Sequence, residues 1–194
     1  MISEKMMEFV KNSSAIRAMF EEGKRLADQF GAENVYDFSL GNPSVLPPDE
    51  VKEALLKVIR EEDPNLVHGY MNNSGYEDVR ARVADCINQR FGTAFQKDNI
   101  IMTVGAAGGL NVILKTLLNP GDEVIVFAPF FGEYRNYVGN YEGNLVVISP
   151  DTTDFQPNLA EFEQKITKKT KAVIINTPNN PTGVVYSEQT IMDL

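Results

Sequence analysis

The chain has 194 residues, 43% of them hydrophobic and 23% charged, so it is long and apolar enough to fold around a core. Its formal net charge is −9 and it has no basic run, which argues against a nucleic-acid partner. Its apolar stretches fall short of the roughly 18 residues that a membrane span needs, and the N-terminus has no apolar run typical of a signal peptide. We therefore expect a cytoplasmic protein with no membrane partner. A single cysteine and a single histidine exclude an intramolecular disulfide and a cysteine-rich zinc site.

Helical patterns dominate the first hundred residues. Ser74 with Glu77 three positions later is a capping-box pattern and marks a helix start. Cys86 falls in an apolar stripe of that helix and is expected to be buried. Tyr36 to Leu40 is strand-like and ends in a turn. The segments with helical periodicity are Asn12 to Phe30, Asp49 to Glu62 and Gly75 to Phe91.

After residue 98, short β-rich apolar runs alternate with helical segments. The predicted strands are Ile100 to Val104, Glu123 to Ala128, Leu145 to Ile148 and Lys171 to Asn176. The predicted helices are Ala106 to Leu118, Phe130 to Tyr141, Leu159 to Ile166 and a last one beginning at Ser187. This alternation predicts an α/β fold, a three-layer sandwich with a mostly parallel sheet covered by helices on both faces. In such sheets ligands bind beyond the carboxyl ends of the strands.

The first candidate site is the start of the helix after the first predicted strand. Gly105 is followed there by Ala106, Ala107, Gly108 and Gly109. Small residues at a helix start expose backbone N–H groups, and these donors together with the positive end of the helix dipole suit a phosphate. Close packing of the helix on the sheet explains the same residues equally well. The spacing differs from the dinucleotide-binding pattern G-x-G-x-x-G.

The second candidate site is NTPNNPTG, residues 176–183, which directly follows the last predicted strand. Pro178 and Pro181 restrict the backbone, and Gly183 permits a conformation that other residues resist. We therefore expect Asn180 to be held rigidly, with a neutral amide that can donate to a phenolate oxygen. A plain turn uses similar residues, but it does not need eight of them together after a buried strand.

Five segments in this order resemble the class I/II aminotransferases, which are aspartate aminotransferase-like, fold type I enzymes dependent on pyridoxal 5′-phosphate (PLP). The segments are LGNP, GYMNNSGYEDVR, TVGAAGGL, GDEVIVFAPFFGEY and NTPNNPTG. The likeness runs from about Tyr36 to the end of the chain, and NNPTG is its most specific part. It implies that residues 1–48 form an N-terminal arm and part of a small domain. Residues 49–194 would then be part of the PLP-binding large domain.

The resemblance also implies cofactor contacts. Asn180 matches the asparagine that hydrogen-bonds the phenolic oxygen of PLP and lies beside the substrate. Gly105, Ala106 and Ala107 match the loop whose backbone binds the cofactor phosphate. Phe131 matches the aromatic residue that stacks on the pyridine ring, a contact of about 1 kcal/mol beyond area burial. A core aromatic is the alternative interpretation of Phe131, and its neighbour Phe130 is the other candidate for that core position.

Two further matches concern the substrate and a second subunit. Gly41 matches the glycine whose backbone lies near the substrate carboxylate. Tyr70 matches a tyrosine that reaches the cofactor phosphate of the other subunit, which implies a homodimer. An isolated glycine is equally typical of a turn, and an isolated tyrosine of packing.

The groups that carry the chemistry in this family lie after NNPTG. They are the Schiff-base lysine, the carboxylate opposite the pyridinium nitrogen and the arginine for the substrate carboxylate. No lysine or arginine follows Asn180 here. We therefore expect a truncated piece, inactive alone, of an enzyme that transfers an amino group between an amino acid and a 2-oxo acid. Two alternatives stay open: a noncatalytic binding or assembly module that keeps the phosphate cradle, and a related PLP-dependent lyase.

Overall fold

The computed structural model of the chain describes residues 2–11, 15–36, 38, 41 and 45–194. Contacts between residues divide the chain into two compact units, Met1–Ile101 and Met102–Leu194. The domain boundary that the sequence suggests between residues 48 and 49 stays a prediction. Part of the predicted strand from Tyr36 to Leu40 lies outside the described residues, as do residues 12–14 of the first predicted helix.

The first unit is built from helices, as expected. They are α1 (Glu4–Lys11), α2 (Ala15–Phe30), α3 (Asp49–Glu61), α4 (Pro64–His68) and α5 (Glu77–Phe91). Short 3₁₀ turns occupy Ala32–Asn34 and Lys97–Asn99. The sequence missed α1 and α4. It also placed the start of α5 too early: Tyr76 is the N-cap, and Gly75 before it has φ +97°, so Ser74 lies outside the helix and does not cap it.

Hydrogen bonds from Arg80 connect helix α5 to the 3₁₀ turn at Lys97–Asn99. The guanidinium of the buried Arg80 donates to the carbonyl oxygens of Gly75 at 3.3 Å and Lys97 at 2.9 Å. These bonds hold the helix against the 3₁₀ turn. Cys86, in contrast, is exposed, and so is Val79 on the same apolar stripe. The expectation that Cys86 is buried was wrong, because the described residues of this unit leave its side chain and that of Val79 uncovered.

The second unit contains a three-stranded parallel sheet. Its strands are β1 (Glu123–Phe127), β2 (Asn144–Ile148) and β3 (Thr170–Ile174), in the order β2-β1-β3. The central strand β1 pairs in parallel with both neighbours, so that Val126 lies opposite Val147 and Ile174. Residues 124–127 are all buried. Their apolar run is therefore typical of a strand covered on both faces.

Helices cover both faces of this sheet. On one face, Leu114 of α6 (Gly105–Leu117) and Val138 of α7 (Glu133–Asn140) pack against Val124. On the other, Phe162 of α8 (Leu159–Lys165) packs against Ile125. A last helix, α9 (Glu188–Asp193), is capped by the side chain of Ser187. The three-layer α/β arrangement predicted from the sequence is confirmed.

The predicted first strand, Ile100 to Val104, is not a strand in the structure. The described sheet contains only β2, β1 and β3, and none of these strands pairs with this run. Ile101 and Val104 are accordingly exposed, at 64% and 95%. The prediction was wrong because an apolar run becomes a strand only where another strand pairs with it.

Large apolar side chains remain exposed in both units. On α3, Val51, Leu55 and Ile59 recur every four residues along one face and are 46–71% exposed. On α6, Ile113 and Leu117 repeat the same spacing. Apolar stripes of this kind mark surfaces that another surface normally covers. Among the described residues, no helix is both long enough and apolar enough to cross a membrane.

We expect the chain to self-associate, since burial of these stripes between copies removes apolar surface from water. Light scattering after size-exclusion chromatography should give a mass above that of one chain. Replacing Leu55 and Ile59 by Gln should lower the association. Replacing the exposed Lys52 and Glu53 of the same helix by Gln, which leaves the net charge unchanged, should have no such effect. A stable monomer at all concentrations would contradict the expectation.

Candidate functional site

Two loops of the second unit leave the sheet at the same edge. Strands β1 and β3 are parallel neighbours, so their carboxyl ends meet. The segment with Phe130 and Phe131 follows β1, and the NTPNNPTG segment, residues 176–183, follows β3. This is the edge at which open parallel sheets bind ligands.

Helix α6 brings a third segment toward this edge. The helix ends at Leu117, shortly before β1 begins, and both Leu114 and Leu118 pack with Val124, so the carboxyl end of the helix lies near the amino end of that strand. Gly105 precedes Leu114 by about 14 Å of helix. The start of α6 therefore points toward the carboxyl end of β1.

The start of α6 leaves backbone donors available. Gly105 has φ +67°, in the left-handed region that favours glycine, and its own N–H donates to the carbonyl oxygen of Thr103 at 3.0 Å. The hydroxyl of Thr103 donates to the carbonyl oxygen of Gly105, also at 3.0 Å. No described side chain caps the helix. The first-turn amides that follow, at the exposed Ala106 and Ala107, therefore have no intrahelical partner and suit an anion.

The NNPTG loop is held by its own side chains. The carboxamide oxygen of Asn176 accepts from the backbone N–H of Asn180 at 2.8 Å, and Nδ2 of Asn176 donates to the carbonyl oxygen of Pro178 at 3.2 Å. The Asn180 side chain itself is exposed and makes no hydrogen bond with any described residue. A hydrogen-bonded backbone thus presents an amide without a partner among the described residues, and the role of this amide in binding a cofactor stays a prediction.

Asn179 behaves in the opposite way to its neighbour. It is 8% exposed, and its Nδ2 donates to the carbonyl oxygen of Pro129 at 3.2 Å. Its Oδ1 accepts from the backbone N–H and the hydroxyl of Thr182, at 3.2 and 2.9 Å. Sequence reasoning missed this residue, since two adjacent asparagines look alike until burial separates them.

Tyr134 packs against both Phe131 and Phe130. The rings of Phe131 and Tyr134 lie 5.7 Å apart and nearly perpendicular, while Phe130 stacks on Tyr134 at 6.5 Å. Phe130 and Phe131 are both half-buried, so part of each ring remains accessible to a ligand. Burial raises the pKa of Tyr134, and burial likewise raises the pKa of Tyr186 against an opposing hydrogen bond from Asn179. Both phenols therefore stay neutral at physiological pH.

The other predicted residues belong to the first unit. Gly41 and Tyr70 are both exposed. The remaining residues of the LGNP segment, Leu40, Asn42 and Pro43, lie outside the described residues. The roles of Gly41 and Tyr70 stay predictions. Within the described ranges, no group of His, Cys, Asp and Glu side chains could hold a metal ion.

Comparison with known proteins gives consistent results. The family described as "Aminotransferase class I and II" matches residues 33–194. The aspartate aminotransferase of Sulfurisphaera tokodaii is 30% identical over 171 residues, which cover 87% of this chain and 42% of that protein. The structure resembles an aminotransferase from Eubacterium rectale, with a TM-score of 0.92, 41% identity and coverage of 98% of this chain and 48% of that one.

A second solved structure, alanine aminotransferase from Pyrococcus furiosus, has a TM-score of 0.88 and 28% identity. The match covers 100% of this chain and 48% of that one. The chain therefore spans less than half the length of the relatives it matches. Its whole described fold nevertheless has a counterpart in them.

Gly105→Ala should lower the free energy of unfolding by about 1–2 kcal/mol, because a Cβ disfavours the left-handed backbone there. Crowding is not the cause, since a Cβ at Gly105 meets nothing within 4 Å. Gly132 is the matched control: it is equally open, but its φ of −54° suits alanine. Gly132→Ala should therefore leave stability unchanged or slightly higher in urea denaturation. Equal losses in the two variants would show that Gly105 is not held in this conformation.

Proposed function

This chain belongs to the class I and II aminotransferase family, and from that premise we propose that it is the cofactor-gripping part of a PLP-dependent aminotransferase. The proposed reaction moves an amino group from an amino acid to a 2-oxo acid. The activity is proposed for a protein of the relatives' full length, since this chain spans less than half of it. One observation carries the proposal: uncapped helix amides, a half-buried aromatic ring and an unpaired amide side chain lie on segments directed to one sheet edge.

The donors at this edge fit PLP. The amides at the start of α6, from Gly105 through Ala107, would hold the phosphate without a side chain, because the helix start has no cap of its own. Ala106 and Ala107 have no polar side chain, so the backbone would bear most of the phosphate contacts. Phe131 would stack on the pyridine ring, with Tyr134 fixing its orientation from the side.

Asn180 would set the charge state of the bound cofactor. Its Nδ2 would donate a hydrogen bond without adding charge, which would stabilise a phenolate oxygen and lower the pKa of the cofactor's phenol. Its backbone N–H donates to Oδ1 of Asn176, which fixes the backbone position from which the side chain projects. When bound, PLP supplies the electron sink for the reaction, and the protein supplies binding, orientation and electrostatics.

Substrate and partner assignments follow the same premise. Gly41 and Asn180 would lie beside the substrate carboxylate, and Tyr70, whose side chain is exposed, would reach the cofactor phosphate of a second copy in a homodimer. Two of the relatives named above are called aspartate aminotransferase and alanine aminotransferase, which leaves the amino donor open. Because all three are called aminotransferases, they favour amino transfer over the lyase alternative. The cytoplasmic location stays a prediction.

Asn180→Ala should weaken binding of pyridoxamine 5′-phosphate to the chain by about tenfold to a hundredfold, the effect of losing one hydrogen bond to a charged oxygen. This ligand has no aldehyde, so it cannot react with surface lysines. Its absorbance reports ionisation of its phenol, whose pKa should rise when the amide is removed. Spectrophotometric titration measures both quantities.

Asn144→Ala is the matched control for this titration. Asn144 is an exposed asparagine at the start of β2, at the opposite edge of the sheet. The control should bind as tightly as the unsubstituted chain. Binding that is absent in the unsubstituted chain, or insensitive to residue 180, would contradict the proposed function.

A further inference from the structure

We propose that Asn179 is a positioning residue, which fixes the loop that contains Asn180 to the segment that contains Phe131. It would thereby hold in register the two side chains that contact the cofactor ring, Phe131 by stacking and Asn180 by its hydrogen bond. The inference rests on the proposed function, and it adds a residue that makes no cofactor contact itself. Its one buried side chain bridges two loops that are 50 residues apart in sequence.

The environment of Asn179 requires that its side chain be hydrogen-bonded. At 8% exposure it cannot rely on water, and an unpaired buried amide costs about 1–3 kcal/mol. Both ends of the carboxamide have partners: Nδ2 donates to Pro129, and Oδ1 accepts twice from Thr182. The side chain of the neighbouring Asn180 is exposed and has no hydrogen-bond partner in the described part of the chain. Asn179 therefore supports the loop from inside, whereas the side chain of Asn180 is available to a ligand.

The orientation of the Asn179 amide is fixed by its partners. The backbone N–H of Thr182 can only donate, so the atom facing it must be the oxygen. Nδ2 must then face the carbonyl of Pro129, which can only accept. A flip of the carboxamide would break the bonds to the backbone N–H of Thr182 and to the carbonyl of Pro129, whereas the Thr182 hydroxyl can donate or accept. The bridge therefore has one geometry.

The backbone of Asn179 strengthens the same loop. Its N–H donates to the carbonyl oxygen of Val184 at 2.8 Å, and its carbonyl oxygen accepts from Gly183 at 2.7 Å. The loop thus closes on itself around Asn179. Movement of this residue relative to Pro129 would carry Asn180 with it.

The bridge ends close to both ring contacts. Pro129 lies two positions before Phe131, and Asn179 directly precedes Asn180. Stacking and the phenolate hydrogen bond each require placement to a fraction of an ångström, since hydrogen bonds weaken steeply with distance and angle. The phosphate cradle at Gly105 makes no use of this bridge. Loss of the bridge should therefore weaken recognition of the ring and leave recognition of the phosphate unchanged.

Asn179→Asp tests this separation on the 194-residue chain. The substitution keeps the size of the side chain and an acceptor for Thr182, but it sets an oxygen against the carbonyl of Pro129. We expect affinity for pyridoxamine 5′-phosphate to fall about tenfold. Affinity for inorganic phosphate, followed by NMR shifts of the Ala106 and Ala107 amides, should stay the same. Asn144→Asp, with the same change of charge at the other edge of the sheet, should alter neither.

A second variant and a ligand-free measurement cover the case in which Asn179→Asp folds poorly. Thr182→Val removes the hydroxyl that donates to Oδ1 of Asn179, one of the three hydrogen bonds of the amide, and should weaken ring binding less than Asn179→Asp does. In chains labelled with fluorophenylalanine, the ¹⁹F signal of Phe131, assigned with Phe131→Leu, should shift in both variants without ligand. The signal of Phe162, in the core on one face of the sheet, should stay in place and report an intact fold.

The outcomes separate the two proposals. If the chain binds the pyridine ligand through Asn180 but Asn179→Asp binds equally well, the positioning role is wrong and the proposed function stands. Equal losses for the pyridine ligand and for phosphate would also overturn it, because they indicate general damage. If the unsubstituted chain binds no pyridine ligand, the proposed function fails. An unchanged Phe131 signal in the folded variants would then refute the bridge as well.

Discussion

The pairing of β1 with a parallel neighbour on each side is the constraint on which the second unit depends. Residues 124–127 of this strand are buried, and both of its edges are hydrogen-bonded. Because all three strands run the same way, the loops that follow them are forced to one edge. Helices on both faces then bury alternate residues of β1, with Val124 on one side and Ile125 on the other. The buried residues of β1 thus support the loops at the carboxyl end of the sheet, where the candidate site lies.

The elements that the sequence predicted well are those whose signal is local. The run at β1 is continuously apolar, and Ser187 caps α9 through its own side chain, so neither needs information from elsewhere in the chain. The run from Ile100 to Val104 has the same apolar character but no paired strand, and strand pairing is not encoded locally. The start of α5 shows a smaller failure of the same kind, since Ser74 has the cap chemistry but lies ahead of the turn at Gly75.

The candidate site divides in the same way. Gly105 and Asn180 could be singled out because glycine at a helix start and an asparagine between prolines each have a local physical meaning. Asn179 could not, since its role depends on a carbonyl 50 residues away and on burial that only the folded chain creates. The roles of Gly41 and Tyr70 rest on family likeness alone. The exposed stripes on α3 and α6 suggest that further surface must cover both units in the functional protein.

A crystal structure of the chain with pyridoxamine 5′-phosphate is the most direct test of the central claim that one sheet edge grips a phosphorylated pyridine. We expect the phosphate against the backbone amides of Ala106 and Ala107 and the ring against Phe131. The phenolic oxygen should lie about 3 Å from Nδ2 of Asn180. A ligand bound elsewhere, or a phosphate at α6 with its ring turned away from Asn180, would contradict the claim.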